Sequence, residues 1–199
     1  MNLKTLLISL LILLNLLVYG NNSSNAIKSK IAVREIIWGI THPFIALKVK
    51  RLTKEALYTT DSLQNHNILY DRSGGQLDAF KHSYWMALLS QEIKAKKALK
   101  IGIIHEKMNY NSFKKNYNVQ DSAASSMDIL NNNVGITLGS NNKLMSKNEL
   151  TSLIISYIKQ GKMYIIKKDD KGNCLDKDNK IIDLSVEKEW DKRKCIIGS

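Results

Sequence analysis

The sequence predicts a mainly α protein, a compact helical domain with a small β-hairpin appendage at its carboxyl end. Apolar residues recur at helical spacing up to about residue 160, and the chain contains only 1 Pro and 10 Gly. Short apolar runs separated by turn residues come only after residue 161. The 199 residues and the hydrophobic share of 44% suit a folded domain and exclude wholesale disorder.

Residues 1–26 are predicted to be a signal peptide. The basic start Met1–Lys4 precedes the apolar run Leu6–Tyr19, and Ser24-Asn25-Ala26 offers small residues for cleavage. The run is shorter than the roughly 20 residues that span a bilayer, although an uncleaved anchor remains the alternative. We therefore expect export to the periplasm or secretion, with no membrane span after signal cleavage.

Residues 27–161 are predicted to form the helical domain. Apolar spacing predicts helices over residues 27 to about 60 with a break at His42-Pro43, Gln76–Glu92, Ala95 to about Lys107, Asp121–Val134 and Glu149–Gln160. The polar or glycine-containing stretches between them are predicted to be connections, namely Thr59–Gly75, residues 109–120 and Gly135–Lys147.

Residues 162–199 are predicted to form the β-rich appendage, with turns at Asp169–Asn173 and Asp176–Lys180. Both cysteines, Cys174 and Cys195, lie here. In an oxidising compartment they could form a disulfide, which would add on the order of 3 kcal/mol of stability; free thiols are the alternative.

The chain is strongly basic, with a formal net charge of +12. This excess favours an anionic substrate or an anionic component of the cell envelope as a partner. Nucleic acid is disfavoured, because only four of the basic residues are arginines, Arg34, Arg51, Arg72 and Arg193, and lysines are scattered through every segment. The sequence makes no prediction about the oligomeric state.

The helix at 76–92 carries the first pair of candidate site residues. Asp78 and His82 are four residues apart and so share a face, which Trp85 continues. Such a pair can hold one metal ion or form a hydrogen bond. A purely structural role is the alternative, in which Asp78 interacts with the helix dipole and His82 is a partly buried side chain whose ring nitrogens have hydrogen-bond partners.

The next helix places His105 and Glu106 on its apolar side, around Gly102. A buried polar pair is unfavourable unless each member finds a partner. His105 and Glu106 could find partners in Asp78 and His82, directly or through a metal, and structural hydrogen bonds would serve equally well.

The third helix carries a polar stripe of Asp121, Ser125, Asp128 and Asn132, beside Asn131. Such a stripe is often a solvated face. Facing the other two helices, however, it could complete a carboxylate and imidazole site for Zn, Mn or Fe. The predicted metal ligands are then Asp78, His82, His105 and Asp128. Trp85, Asp121, Asn131 and Asn132 are predicted to contact substrate or to orient the ligands.

Taken together, the segments Gly74–Leu89, His105-Glu106 and Met127–Gly135 resemble a family of bacterial domains named domain of unknown function 6973. The shared motifs are Gly-Gly, Asp-Ala-Phe-x-His with a following Tyr-Trp, His-Glu, and Asp followed by paired Asn. This sequence has Lys81 where Arg is usual. The resemblance implies a helical domain, often exported, and it implies no activity.

These residues predict a metal-dependent hydrolase of an anionic, phosphoester-like substrate. Glu106 is predicted to be the general base or to orient the imidazole of a metal ligand, and His105 is predicted to be catalytic as well as a ligand. One alternative is a non-catalytic envelope-binding module, in which the same residues form a buried polar network. The other is an antibacterial toxin-type domain.

Overall fold

The computed structural model describes residues 42–116, 122–183 and 193–199, and the side chains of residues 111–116 are not among those described. The chain divides into the units Met1–Pro43 and Phe44–Ser199, and nearly all of the described residues belong to the second. The predicted signal peptide, the predicted helix over residues 27–41 and Asp121 lie outside the described residues and stay predictions.

The described residues form five helices and one two-stranded antiparallel sheet, which confirms the mainly α fold class. In chain order these are α1 Pro43–Asn65, α2 Gln76–Glu92, α3 Ala95–Asn116, α4 Ser122–Asn141, α5 Lys147–Lys159, β1 Tyr164–Ile166 and β2 Ile196–Gly198. No helix within these ranges combines the length and the apolar character needed to cross a membrane.

Helix α2 is the centre of the fold, because α3, α4, α5 and β1 all pack against it. It is buried on nearly every side, and its buried residues include polar ones such as Asp78, His82, Ser83 and Ser90. The amphipathic pattern predicted for this segment therefore understates its burial, since helices cover it from several directions.

Two glycines let α4 lie very close to α2. A Cβ added at Gly135 would be 2.1 Å from the carbonyl oxygen of Ser83, and one added at Gly139 would be 2.1 Å from that of Ala87. These contacts leave no room for a side chain. The prediction that the third helix ends at Val134 is wrong, because the glycines serve helix packing and α4 continues to Asn141.

The predicted loop over residues 109–120 is also wrong over its described first part. Helix α3 continues to Asn116, and Asn109 bonds to Glu106 within the same helix, one turn earlier. The polar residues here belong to the helix and do not signal its end. Helix α5 begins at Lys147, where Ser146 and Glu149 form a capping box.

The carboxyl-terminal appendage is held together by long-range pairing. Strand β1 pairs with β2, whose residues lie about thirty positions later in the chain, so the sheet is not a local hairpin. Both predicted turns are present and are closed by the bridges Lys168–Cys174 and Leu175–Ile181. In the first turn, the Asp169 carboxylate accepts hydrogen bonds from the backbone N–H groups of Lys171 and Asn173.

The candidate disulfide between Cys174 and Cys195 is not formed, and both residues are free thiols. Cys174 is buried in a small apolar cluster with Met127, Ile166 and Ile182. The Cys195 thiol instead lies 3.9 Å from the carbonyl oxygen of Ile196. The two side chains therefore have different surroundings, although the backbone N–H of Cys195 bonds to the carbonyl of Leu175, the residue after Cys174.

Candidate metal centre

The first turn of α2 positions Asp78. The backbone N–H of Gly74 donates a hydrogen bond of 2.8 Å to Asp78 Oδ2. Gly74 has a φ of +80° and packs against Ile166, where an added Cβ would meet a side-chain carbon at 2.7 Å. Glycine is required at this position, because its backbone conformation is left-handed and its surroundings are full.

Asp78, His82 and Asp128 are brought together by α2 and α4. His82 Nε2 lies 3.3 Å from Asp128 Oδ1 and 3.7 Å from Asp78 Oδ1. Each residue offers a ligand atom within 4.8 Å of those of the other two, and all three side chains are buried. We call these three residues the trio. Two carboxylates and an imidazole are donors that divalent Mn, Fe and Zn accept.

His82 is neutral in this environment. Burial, followed by the positive charge of Lys81, holds the pKa of the imidazole well below its ordinary value. A neutral imidazole has a lone pair to give to a metal ion, and no proton has to be displaced first. The electrostatics of the site therefore suit His82 to the role of ligand.

His105 lies beside the trio. Its ring centroid is 6.0 Å from that of His82 and 5.3 Å from that of Trp85, whose ring it meets edge-on. His105 is half-buried, and burial, together with the Lys81 charge, lowers the pKa of its imidazole. Among the described residues, the group of ligand atoms within 4.8 Å of one another comprises the trio alone.

Glu106, also on α3, is a buried carboxylate with one oxygen engaged. Asn109 donates a hydrogen bond of 3.2 Å to Oε2, whereas Oε1 has no hydrogen-bond partner among the described residues. Burial raises the pKa of this carboxyl group, and the Asp78 charge adds to the effect. The pKa of Glu106 therefore lies closer to neutral pH than that of an exposed glutamate.

Buried polar atoms without a hydrogen-bond partner collect around the trio within the described part of the chain: His82 Nδ1, Trp85 Nε1, Glu106 Oε1, Ser125 Oγ and both amide atoms of Asn132. Asn132 influences the pKa of His82, and Ser125 that of Glu106, yet neither pair has normal hydrogen-bond geometry. Leaving such atoms unpaired costs about 1–3 kcal/mol each. Their clustering is compatible with a bound polar ligand or ion.

The other predicted site residues have distinct positions. Asn131 holds the appendage, because its Nδ2 donates to the Tyr164 carbonyl at 2.8 Å and its Oδ1 accepts from the Tyr164 N–H at 3.0 Å. Its amide is thus occupied by the backbone of β1. Asn132 packs near Gly102, where an added Cβ would lie 3.2 Å from Asn132 Nδ2.

Sequence reasoning missed Lys81 as a member of the site. Its ammonium group lies 2.6 Å from Asp78 Oδ1. The spacing of three residues between Asp78 and Lys81 is a signal that could have found it, because opposite charges at this separation meet on a helix surface.

Comparison with known proteins places the chain in a family. The family model described as a domain of unknown function, DUF6973, matches residues 36–162, which is well over half of the chain and includes α2, α3, α4 and the trio. No curated protein and no solved structure matches the chain significantly. With a match of this length, the chain belongs to the DUF6973 family.

Proposed function

We propose that this protein is a metal-dependent hydrolase that acts on an anionic, phosphoester-like substrate. The observation that carries the proposal is the buried trio, whose ligand atoms lie within 4.8 Å of one another. Glu106 supports it, since a buried carboxyl group with a raised pKa and an unengaged oxygen is suited to act as a general base.

Asp78, His82 and Asp128 hold the metal in this proposal, as three protein ligands that leave positions for water and substrate. The ion would supply charge stabilisation and would lower the pKa of a bound water molecule towards neutrality. A divalent ion would also offset the repulsion between the two buried carboxylates.

Glu106 accepts the proton of the attacking water at Oε1, while Asn109 keeps Oε2 in place. His105 is suited to carry a proton between the site and solvent, because it is half-buried and neutral. The sequence instead predicts that His105 is a metal ligand. Among the described residues, however, the group of ligand atoms comprises Asp78, His82 and Asp128 and does not include His105. The net charge of +12 favours approach of an anionic substrate.

A second candidate function is a metal-free binding module in which the trio only specifies packing. Burial favours it, since Asp78, His82 and Asp128 are 5%, 2% and 0% exposed. Moreover, two surface clefts in the described region lie elsewhere, one lined by Phe44, Lys48, Lys94, Lys97 and Lys143, the other by residues 141–145 and Glu149. Metal uptake separates the two functions.

The test is calorimetric titration of the purified, chelator-treated protein with Mn²⁺ and Zn²⁺. We expect one site, lost in His82→Ala and Asp128→Asn and kept in Asn133→Ala, which changes an exposed residue of α4. Failure of the wild-type protein to bind either ion would refute the proposal and favour the binding module.

Catalysis is tested separately, by hydrolysis of bis(p-nitrophenyl) phosphate in the presence of the bound metal. Glu106→Gln should retain the metal and lose at least a hundredfold in turnover, as expected for removal of a general base. Metal binding without any phosphoester hydrolysis would contradict the proposed reaction and leave a metal-binding module.

A further inference from the structure

We propose that Lys81 binds the anionic group of the substrate, and that it becomes available for this role when Asp78 binds the metal. This inference rests on the proposed function and deepens it, because it names the substrate class as a singly charged phosphodiester-like anion.

Lys81 lies at the boundary between the trio and solvent. Its side chain is 34% exposed, whereas those of Asp78 and His82 are 6% and 2% exposed. The side chain of Lys81 therefore begins on the central helix and ends with its ammonium group at the edge of the buried site. A group in this position can contact both the trio and a molecule that arrives from solvent.

Lys81 pairs with Asp78, one of the carboxylates that would hold the metal. Asp78 Oδ1 lies 2.6 Å from Lys81 Nζ and 3.7 Å from His82 Nε2, and His82 Nε2 in turn lies 3.3 Å from Asp128 Oδ1. An ion bound among these atoms would repel an ammonium group on the same oxygen. The lysine side chain is flexible and carries a compact charge, so the ammonium group can move away without disturbing the helix.

The charge of the site limits the charge of the substrate. Asp78, Asp128 and Glu106 are acidic and Lys81 is basic, so the formal charge of these four residues is −2 when all of them are ionised. A divalent cation brings this sum to zero. Any negative charge on the substrate then adds to a neutral site, so a singly charged diester is less unfavourable there than a doubly charged monoester.

The charge of Lys81 acts on groups beyond Asp78. It also lowers the pKa of His82, His105 and Glu106. An anion held by Lys81 would lie at the edge of the buried trio, where the ammonium group already contacts Asp78.

The experiment compares Lys81→Met with Lys81→Arg and with Lys100→Met, a control that removes a lysine charge from the exposed face of α3. Circular dichroism and thermal unfolding first establish that each variant folds. Binding of Mn²⁺ alone is measured next, and binding of dimethyl phosphate to the Mn²⁺-loaded proteins is measured last. Dimethyl phosphate is a singly charged diester and serves as the probe.

We expect Lys81→Met to bind Mn²⁺ at least as tightly as the wild-type protein and to bind dimethyl phosphate at least tenfold more weakly. Lys81→Arg and Lys100→Met should bind the probe within about threefold of wild type, because a charged donor remains at or near the site. Unchanged probe binding by Lys81→Met would overturn the inference while leaving the metal site intact. If the wild-type protein takes up no Mn²⁺, the proposed function and this inference fail together.

Discussion

Gly135 of α4 lies directly against the backbone of Ser83 in α2, so closely that an added Cβ would be 2.1 Å from the Ser83 carbonyl oxygen. This contact lies between residues adjacent to the trio, because Ser83 follows His82 and Gly135 lies two turns after Asp128 on the same helix. The separation of the two helices thus controls whether Asp128 reaches His82.

Replacing Gly135 with Ala should therefore destabilise the protein. Alanine normally stabilises a helix interior relative to glycine by about 0.5–1 kcal/mol, but here its methyl group would force the helices apart. We expect the free energy of unfolding in urea to fall by about 1–3 kcal/mol. Asn133→Ala, on the exposed face of α4, is the control and should change it little. A more stable Gly135→Ala protein would show that the close contact is not present.

Replacing Asn131 with Ala should loosen the carboxyl-terminal appendage. The Asn131 amide makes two hydrogen bonds to the backbone of Tyr164, and its loss leaves a donor and an acceptor of β1 unpaired. We expect a loss of about 1–3 kcal/mol and faster hydrogen exchange of the Tyr164 amide. Exchange at Tyr164 as slow as in the wild-type protein would contradict the assigned bonds.

Glu106→Gln should stabilise the metal-free protein at neutral pH. Burial raises the pKa of Glu106 above its unfolded value of 4.5, so the folded state binds the proton more tightly than the unfolded state. This contribution to stability is complete below the unfolded pKa and is lost as the pH rises through the folded pKa. The advantage of the Gln variant should therefore be largest at pH 7.5 and shrink towards pH 4, as measured by urea unfolding.

Glu149→Gln is the matched comparison, with the opposite sign. The Ser146 side chain and backbone N–H bond to the Glu149 carboxylate and lower its pKa from the ordinary value of 4.5. Stability from this group is present above the unfolded pKa and is lost as the pH falls through the folded pKa. The Gln variant should thus be less stable than wild type at pH 7.5, and the difference should narrow in acid. If both Gln variants were more stable than the wild-type protein at pH 7.5, or both less stable, one of the two pKa assignments would be contradicted.

Both cysteines should react as thiols without prior reduction. Iodoacetamide should modify Cys195, which is half-buried, before Cys174, which is 9% exposed. Under denaturing conditions, mass spectrometry should find two added groups whether or not a reductant is present. A requirement for reductant would show that the disulfide forms in solution.

The positions of most helices follow from local patterns, and these predictions are confirmed for α2 and α5, to within two residues at the ends. The start of α5 is marked by its capping box, and its end by Gly161, whose φ of +71° suits glycine. The lengths of α1, α3 and α4 were predicted too short; α1 continues to Asn65, past its predicted end near residue 60. Polar residues and glycines usually end helices. In α4, however, the glycines serve contacts with α2 that no local pattern reveals, and in α3 Asn109 bonds to Glu106 one turn earlier.

The chain's own order of residues was enough to place Asp78 beside His82, and His105 beside Glu106, because helical spacing is a short-range property. The sequence alone was not enough to predict which polar residues of α4 lie near the trio and which contact the carboxyl-terminal appendage. Asn131 and Asn132 are neighbours in sequence, yet one is bonded to Tyr164 and the other packs near Gly102 and His82. That difference arises from the rotation of about 100° between successive helical residues and from the close packing of α4 on α2. The rotation is local and follows from the sequence, whereas the packing of α4 on α2 is decided only in the tertiary structure, and it brought Asp128 within 3.3 Å of His82.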